Sequence, residues 1–107
     1  MAKEFRRKAP RRDYHGSIGL LHKGSFIQSP CLQVGEGGAL VAYDALNESV
    51  QIGDQFVFTI FLPNIGGVTS LAQCLYKNEA GDFGVSFFEI DMKFKKRVRE
   101  YVSRRKQ

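Results

Sequence analysis

Tryptophan is missing from these 107 residues, and cysteine, histidine and methionine occur only twice each. So few cysteines exclude a disulfide-stapled scaffold, and the wide separation of Cys31 and Cys74 leaves no C-x-x-C metal or redox motif. Both thiols are expected to be free and packed as small apolar groups. A disulfide would need their Cα atoms within bridging reach, which spacing alone does not decide. His15, His22 and Cys31 match no zinc-ligand spacing, so surface histidines, a core cysteine and no metal are expected. Long apolar runs are missing too: none approaches the ~20 residues of a membrane-crossing helix. The charged start over residues 1–12 leads into no apolar segment, which argues against a signal peptide and for a cytoplasmic protein.

Positive charge is scarce in the middle of the chain. Residues 13–90 hold only Lys23 and Lys77 against eight acids, whereas residues 1–12 hold six bases against Glu4, and residues 91–107 hold eight against Asp91 and Glu100. The net charge of +5 therefore sits at the two ends of an acidic body. A DNA- or RNA-binding domain more often spreads basic residues over its folded surface, so no nucleic-acid partner is expected. The first cluster reads instead as a local anion clamp. No nucleophile–base constellation stands out, and Glu89 and Asp91 are explained by a strand end and a helix cap, so the chain is not expected to be an enzyme.

What is present is a series of short extended segments. The length suits one domain. Residues 1–14 read as a flexible basic arm without hydrophobic periodicity, in which Pro10 blocks a regular helix, and residues 15–107 as the folded body. Strands are expected over 16–22, 25–32, 39–43, 55–62, 68–77 and 83–89. Between them lie Lys23-Gly24, the glycine-rich segment Gly35-Glu36-Gly37-Gly38, a polar connection over 44–54, Pro63-Asn64 with Gly66-Gly67, and a turn over 78–81. This pattern predicts a mainly-β barrel or sandwich, with Phe56, Phe58, Phe61, Phe83, Phe87 and Phe88 in its core. The glycine-rich segment predicts either positive φ or a close approach of another group to the backbone. As a dinucleotide-binding fingerprint it fails, because its third glycine would fall at Leu40 and no helix follows. Near the end the period changes. Phe94, Val98, Tyr101 and Val102 share one helical face after an N-cap at Asp91, so a helix should dock on the strands with its basic face in water. Arg104, Arg105 and Lys106 suit the negative end of that helix.

Taken in order, these parts resemble the bacterial PilZ domain family over nearly the whole chain. Arg7-Lys8-Ala9-Pro10-Arg11 matches its R-x-x-x-R arm. Gln33-Val34-Gly35-Glu36-Gly37-Gly38 stands at its D/N-x-S-x-x-G turn and runs into Ala39-Leu40-Val41. Val50-Gln51-Ile52-Gly53-Asp54 resembles the approach to its long central strand, and Gly84-Val85-Ser86-Phe87 its closing strand. The resemblance implies a six-stranded antiparallel barrel with a C-terminal helix, no cofactor, and binding of cyclic di-GMP, a bacterial second messenger, with a downstream protein partner. It places Arg7 and Arg11 as the clamp on guanine and phosphate, Gln33 on the guanine edge, Gly35 at the phosphate-contacting position and Gly38 as the turn glycine. Arg6, Lys8 and Arg12 would be supporting charges. The planar fork of arginine suits this work, since it matches the paired O6 and N7 acceptors of guanine. Two positions depart from the pattern: Gln33 replaces Asp or Asn, and Gly35 replaces Ser, which removes a hydroxyl. These departures motivate an alternative, a PilZ-like barrel that has lost the dinucleotide and acts through protein contacts.

Overall fold

The computed structural model describes residues 11–104. Six strands, β1 (Arg11–His22), β2 (Ser25–Gly35), β3 (Gly38–Val41), β4 (Gln55–Leu62), β5 (Gly66–Lys77) and β6 (Phe83–Phe88), precede one helix, α1 (Met92–Ser103). Every neighbouring pair is antiparallel. The sheet closes in the order β1-β2-β3-β6-β5-β4, with β4 returning to β1.

Alternation drives the closure. Along β4, Phe56, Phe58, Ile60 and Leu62 point inward, while Gln55, Thr59 and Phe61 point out. Along β5 the small residues Ala72 and Cys74 face the interior and Leu71 and Leu75 face out. Phe61 is therefore 64% exposed and Phe88 only half-buried, against the expectation that both are core. Each belongs to the outward parity of its strand. At the β1–β2 hairpin, Lys23 and Gly24 both take positive φ (50° and 84°), the pair of left-handed residues a two-residue hairpin demands.

The polar connection after β3 is anchored by a capping box at the start of a 3-10 turn, Ala45–Asn47: the Asp44 carboxylate accepts from the Leu46 amide, and the Asn47 side-chain oxygen accepts from the Asp44 amide. Asn47 is 1% exposed and donates to Ser29 Oγ and to the Ala42 carbonyl, both at 3.0 Å. His22 is not a surface histidine. It is 4% exposed, and its Nε2 lies 2.8 Å from Asp54 Oδ2. His15 is exposed, and Cys31 and Cys74 are free buried thiols, the former raised to about 12 by burial.

Helix α1 begins where expected: the Asp91 carboxylate accepts from the Lys93 amide at 2.7 Å. Its buried face is Phe94, Val98, Tyr101 and Val102. Phe94 meets Phe87 at 4.8 Å between centroids, and Phe87 meets Phe58 at 4.9 Å, both edge-on, so the helix shares the barrel core. Arg104 is the C-cap and pairs with Glu100; Arg105 and Lys106 lie outside the described residues.

Several boundaries differ from the expectation. Strand β1 already includes Arg11, inside the stretch read as arm, and β2 continues to Gly35, so the glycine-rich turn shrinks to Glu36 and Gly37. Arg11, Arg12 and Asp13 pair with Gly35, Val34 and Gln33. This pairing was hidden in the sequence because residues 11–13 carry no apolar side chain.

Candidate functional site

The extended β1 and β2 bring the predicted residues onto the outer wall of the barrel. Arg11 and Asp13 face outward, and their cross-strand partners Gly35 and Gln33 share that face. The next outward positions are Gly38 and Leu40 on β3, then Ser86 and Gly84 on β6, then Gln73 and Tyr76 on β5. Two rows result. One runs Arg11, Gly35, Gly38, Ser86, Gln73; the other runs Asp13, Gln33, Leu40, Gly84, Tyr76.

Three ladder irregularities border these rows. An extra residue sits in β1 between Asp13 and Gly16, in β2 between Cys31 and Gln33, and in β5 between Cys74 and Tyr76. A bulge re-aims the side chains after it. The bulge in β5 turns Tyr76 to the outside, opposite Gly84.

The floor is glycine for a stereochemical reason. A Cβ on Gly38 would lie 2.2 Å from the Val85 carbonyl oxygen, which as backbone cannot move aside cheaply. Of the two readings of the glycine-rich segment, close approach is the one realised at Gly38, whose φ is not positive. That Cβ position also lies 3.5 Å from Arg11 Nη2, so the guanidinium of Arg11 stands beside Gly38. Gln33 reaches Asp13, Nε2 to Oδ1, at 3.5 Å.

Of the remaining predicted residues, Arg12 is committed elsewhere. It stacks 4.2 Å from the Tyr101 ring centroid and donates to the Tyr101 carbonyl at 3.0 Å, holding the end of α1. Arg6, Arg7 and Lys8 lie outside the described residues. The structure therefore unites Arg11, Gln33, Gly35 and Gly38.

Sequence reading missed the link between this wall and the helix. Glu36, in the turn joining β2 to β3, accepts two hydrogen bonds from Arg99 of α1, from Nε at 3.0 Å and Nη2 at 3.1 Å. The Arg99 hydrogen bond holds the Glu36 carboxyl below its ordinary range. The Tyr101 hydroxyl donates to the Asp13 carbonyl at 3.0 Å. No spacing in the sequence pairs 36 with 99. The only signal was a lone acid in a turn and a basic helix face.

A separate depression of about 420 Å³ is lined by His22, Lys23, Ser25, Phe26, Ile27, Leu46 and Ser49. It shares no residue with the two rows. Among the described residues no group of His, Cys, Asp or Glu is arranged to hold a metal, and no helix is long and apolar enough to cross a membrane.

The PilZ domain family model matches residues 5–104. The chain belongs to the PilZ domain family. Solved structures agree on the fold. The Bacillus subtilis inhibitor of motility MotI/DgrA superposes with a TM-score of 0.79 at 18% identity, over 96% of this chain and 52% of that one. The Borreliella burgdorferi PlzA protein, in complex with c-di-GMP, gives 0.67 at 14% identity over 91% of this chain and 41% of that one. The PilZ domain of Escherichia coli YcgR, with c-di-GMP, gives 0.68 at 12% identity over 92% and 90%. This PilZ chain thus spans about half the length of the first two. No curated protein matches it in sequence. PilZ domains are binding and adaptor modules, and cyclic di-GMP is the ligand in two of these structures.

Proposed function

We propose that this PilZ domain binds cyclic di-GMP on the outer wall formed by β1, β2 and β3 and passes the bound state to a protein partner. The observation that carries this reading is the meeting of Arg11 with Gly38: a guanidinium beside a backbone stretch that has no side chain in the way. Arginine offers a planar fork for guanine and a charge for phosphate. Gln33 keeps an amide on the same face, one strand away. The missing hydroxyl at Gly35 removes a contact without filling the space. The two homologous structures that contain c-di-GMP support the reading. Arg7, with Arg6 and Lys8, completes the clamp in this proposal, in an arm over residues 1–14 whose last four residues belong to β1. A cytoplasmic location fits a second-messenger receptor.

Titration calorimetry with cyclic di-GMP tests it. The wild-type chain should bind, and Arg11→Ala should weaken binding by roughly ten- to a hundredfold, the worth of a lost bidentate arginine–guanine contact of ~1–3 kcal/mol. Absence of any heat or amide shift from the wild type at high micromolar ligand would leave the adaptor without ligand as the surviving account.

A further inference from the structure

We infer that two copies of this chain meet face to face on the outer surface centred on β1 and β4, around an apolar stripe that runs through Leu21 and Val57. The stripe shares no residue with the two rows of the ligand wall, and it does not rest on the dinucleotide reading.

Register makes the stripe continuous. Phe26 of β2 pairs with Leu21 of β1, Leu21 with Val57 of β4, Val57 with Leu71 of β5, and Leu71 with Phe88 of β6. Each takes the outward side of its strand, because the residues next to it in sequence, such as Leu20, Ile27, Phe58, Ala72 and Phe87, are buried. Phe26 is 67% exposed and Leu21 49%, while Val57 and Phe88 are half-buried. Apolar side chains joined in one cross-strand row form a patch, unlike the scattered single residues of an ordinary surface.

The surroundings of the stripe select the occupant. At the outward positions of residues 17–21, 26–30, 55–61 and 67–71 no side chain is charged, although Lys, Arg, Asp and Glu make up 25% of the chain. Depletion of charge around apolar and aromatic groups is the mark of an interface centre. Two chains of net charge +5 repel each other, so they can meet only where that charge is absent. A twofold contact sets one patch against the same patch, and a lysine or carboxylate there would face its own kind. The polar groups present avoid this conflict. Ser17, Gln28, Gln55, Thr59 and Thr69 each both donate and accept, so each can bond to its own copy. Charges at the border are already engaged: Lys23 lies 3.8 Å from Asp54, and Arg97 donates to the Ile65 carbonyl at 2.7 Å. Closure of the sheet leaves a face, not a strand edge, as the surface for association. Three strand steps of ~4.8 Å and six residue steps of ~3.3 Å, widened by side chains, give a footprint of roughly 500 Å². That is below the ~800 Å² per partner of a standard interface, so a weak, concentration-dependent dimer is expected.

Sedimentation velocity of the full chain, without dinucleotide, tests this over about 10–500 µM, the range of a small interface. The mass of the wild type should rise toward that of a dimer with concentration. Leu21→Lys, Leu71→Lys and Thr59→Lys should each weaken the dimer by about tenfold or more, since each sets like charges against each other. Leu46→Lys, at an exposed leucine outside the stripe, should leave it unchanged. Melting temperatures check that every variant folds. Raising salt should hold or strengthen the dimer, because it screens the net repulsion and the contact contains no ion pair. A wild type that stays monomeric throughout overturns a second copy as the occupant and leaves the face to a different protein. Association that persists in the folded lysine variants, or that salt abolishes, overturns the stripe as its interface.

Discussion

Gly38 shows how a motif position acquires its identity from an atom on the neighbouring strand. Nothing in the neighbouring residues demands glycine there, because the backbone is extended and φ is ordinary. The demand comes from the Val85 carbonyl, 2.2 Å from where a methyl would sit. Gly38→Ala must push β3 and β6 apart or twist their ladder, and urea unfolding should show a loss of about 1–3 kcal/mol. Binding should fall as well, since Arg11 is the next residue met after Val85. At this scale Arg11, Gln33, Gly35 and Gly38 were legible in the sequence, because each occupies a motif position. Tyr76 was not. Its neighbours Leu75 and Cys74 alternate with it as in an ordinary strand, and only the ladder shift decides that it faces outward opposite Gly84.

Helix α1 is joined to the outer wall by side chains of its own. Arg99 grips Glu36 in the β2–β3 turn, and Tyr101 joins both Arg12 and Asp13 of β1. The Glu36–Arg99 pair depends on pH in a definite direction. Its carboxyl pKa is depressed in the fold, so the pair favours the folded arrangement above the ordinary carboxylate pKa, and that contribution is lost as pH falls through the depressed value. The latch is closed at neutral pH and opens in acid. A carboxyl NMR titration should place Glu36 below an ordinary glutamate, and Arg99→Ala should return it upward. Arg99 is largely exposed while Glu36 is partly covered, so the same substitution should move the melting temperature little. The helix itself was readable from its period and its Asp91 cap. Its connection to the turn was not, because a contact between residues 36 and 99 follows from barrel closure and not from local pattern.

The molecule as a whole is a closed sheet whose order, β1-β2-β3-β6-β5-β4, leaves no free edge among the described strands. Counting strands and turns in the sequence was enough to predict six strands and a barrel or sandwich, since alternation and turn residues are local signals. Residue type alone misplaces Phe61 and Phe88 in the core; strict alternation from Phe56 and Phe58, and from Phe83 and Phe87, puts both outside. The Phe58–Phe87–Phe94 contact makes barrel and helix one packed body. Thermal unfolding should therefore be a single transition, coincident by far-ultraviolet circular dichroism and by tyrosine fluorescence. Phe94→Ala should lower stability by about 3–5 kcal/mol by emptying the shared core, and should not release the helix from an intact barrel.

Strand β1 is held unequally along its length. Ile18, Gly19, Leu20 and Leu21 are hydrogen-bonded into the sheet on both sides, by β2 and by β4, whereas Arg11, Arg12 and Asp13 pair, among the described strands, with β2. The strand is in effect a cantilever, clamped at one end and propped at the other by Tyr101. Whatever occupies Arg11 therefore sits on the least-held part of the strand, one step from both the β2 ladder and the end of the helix.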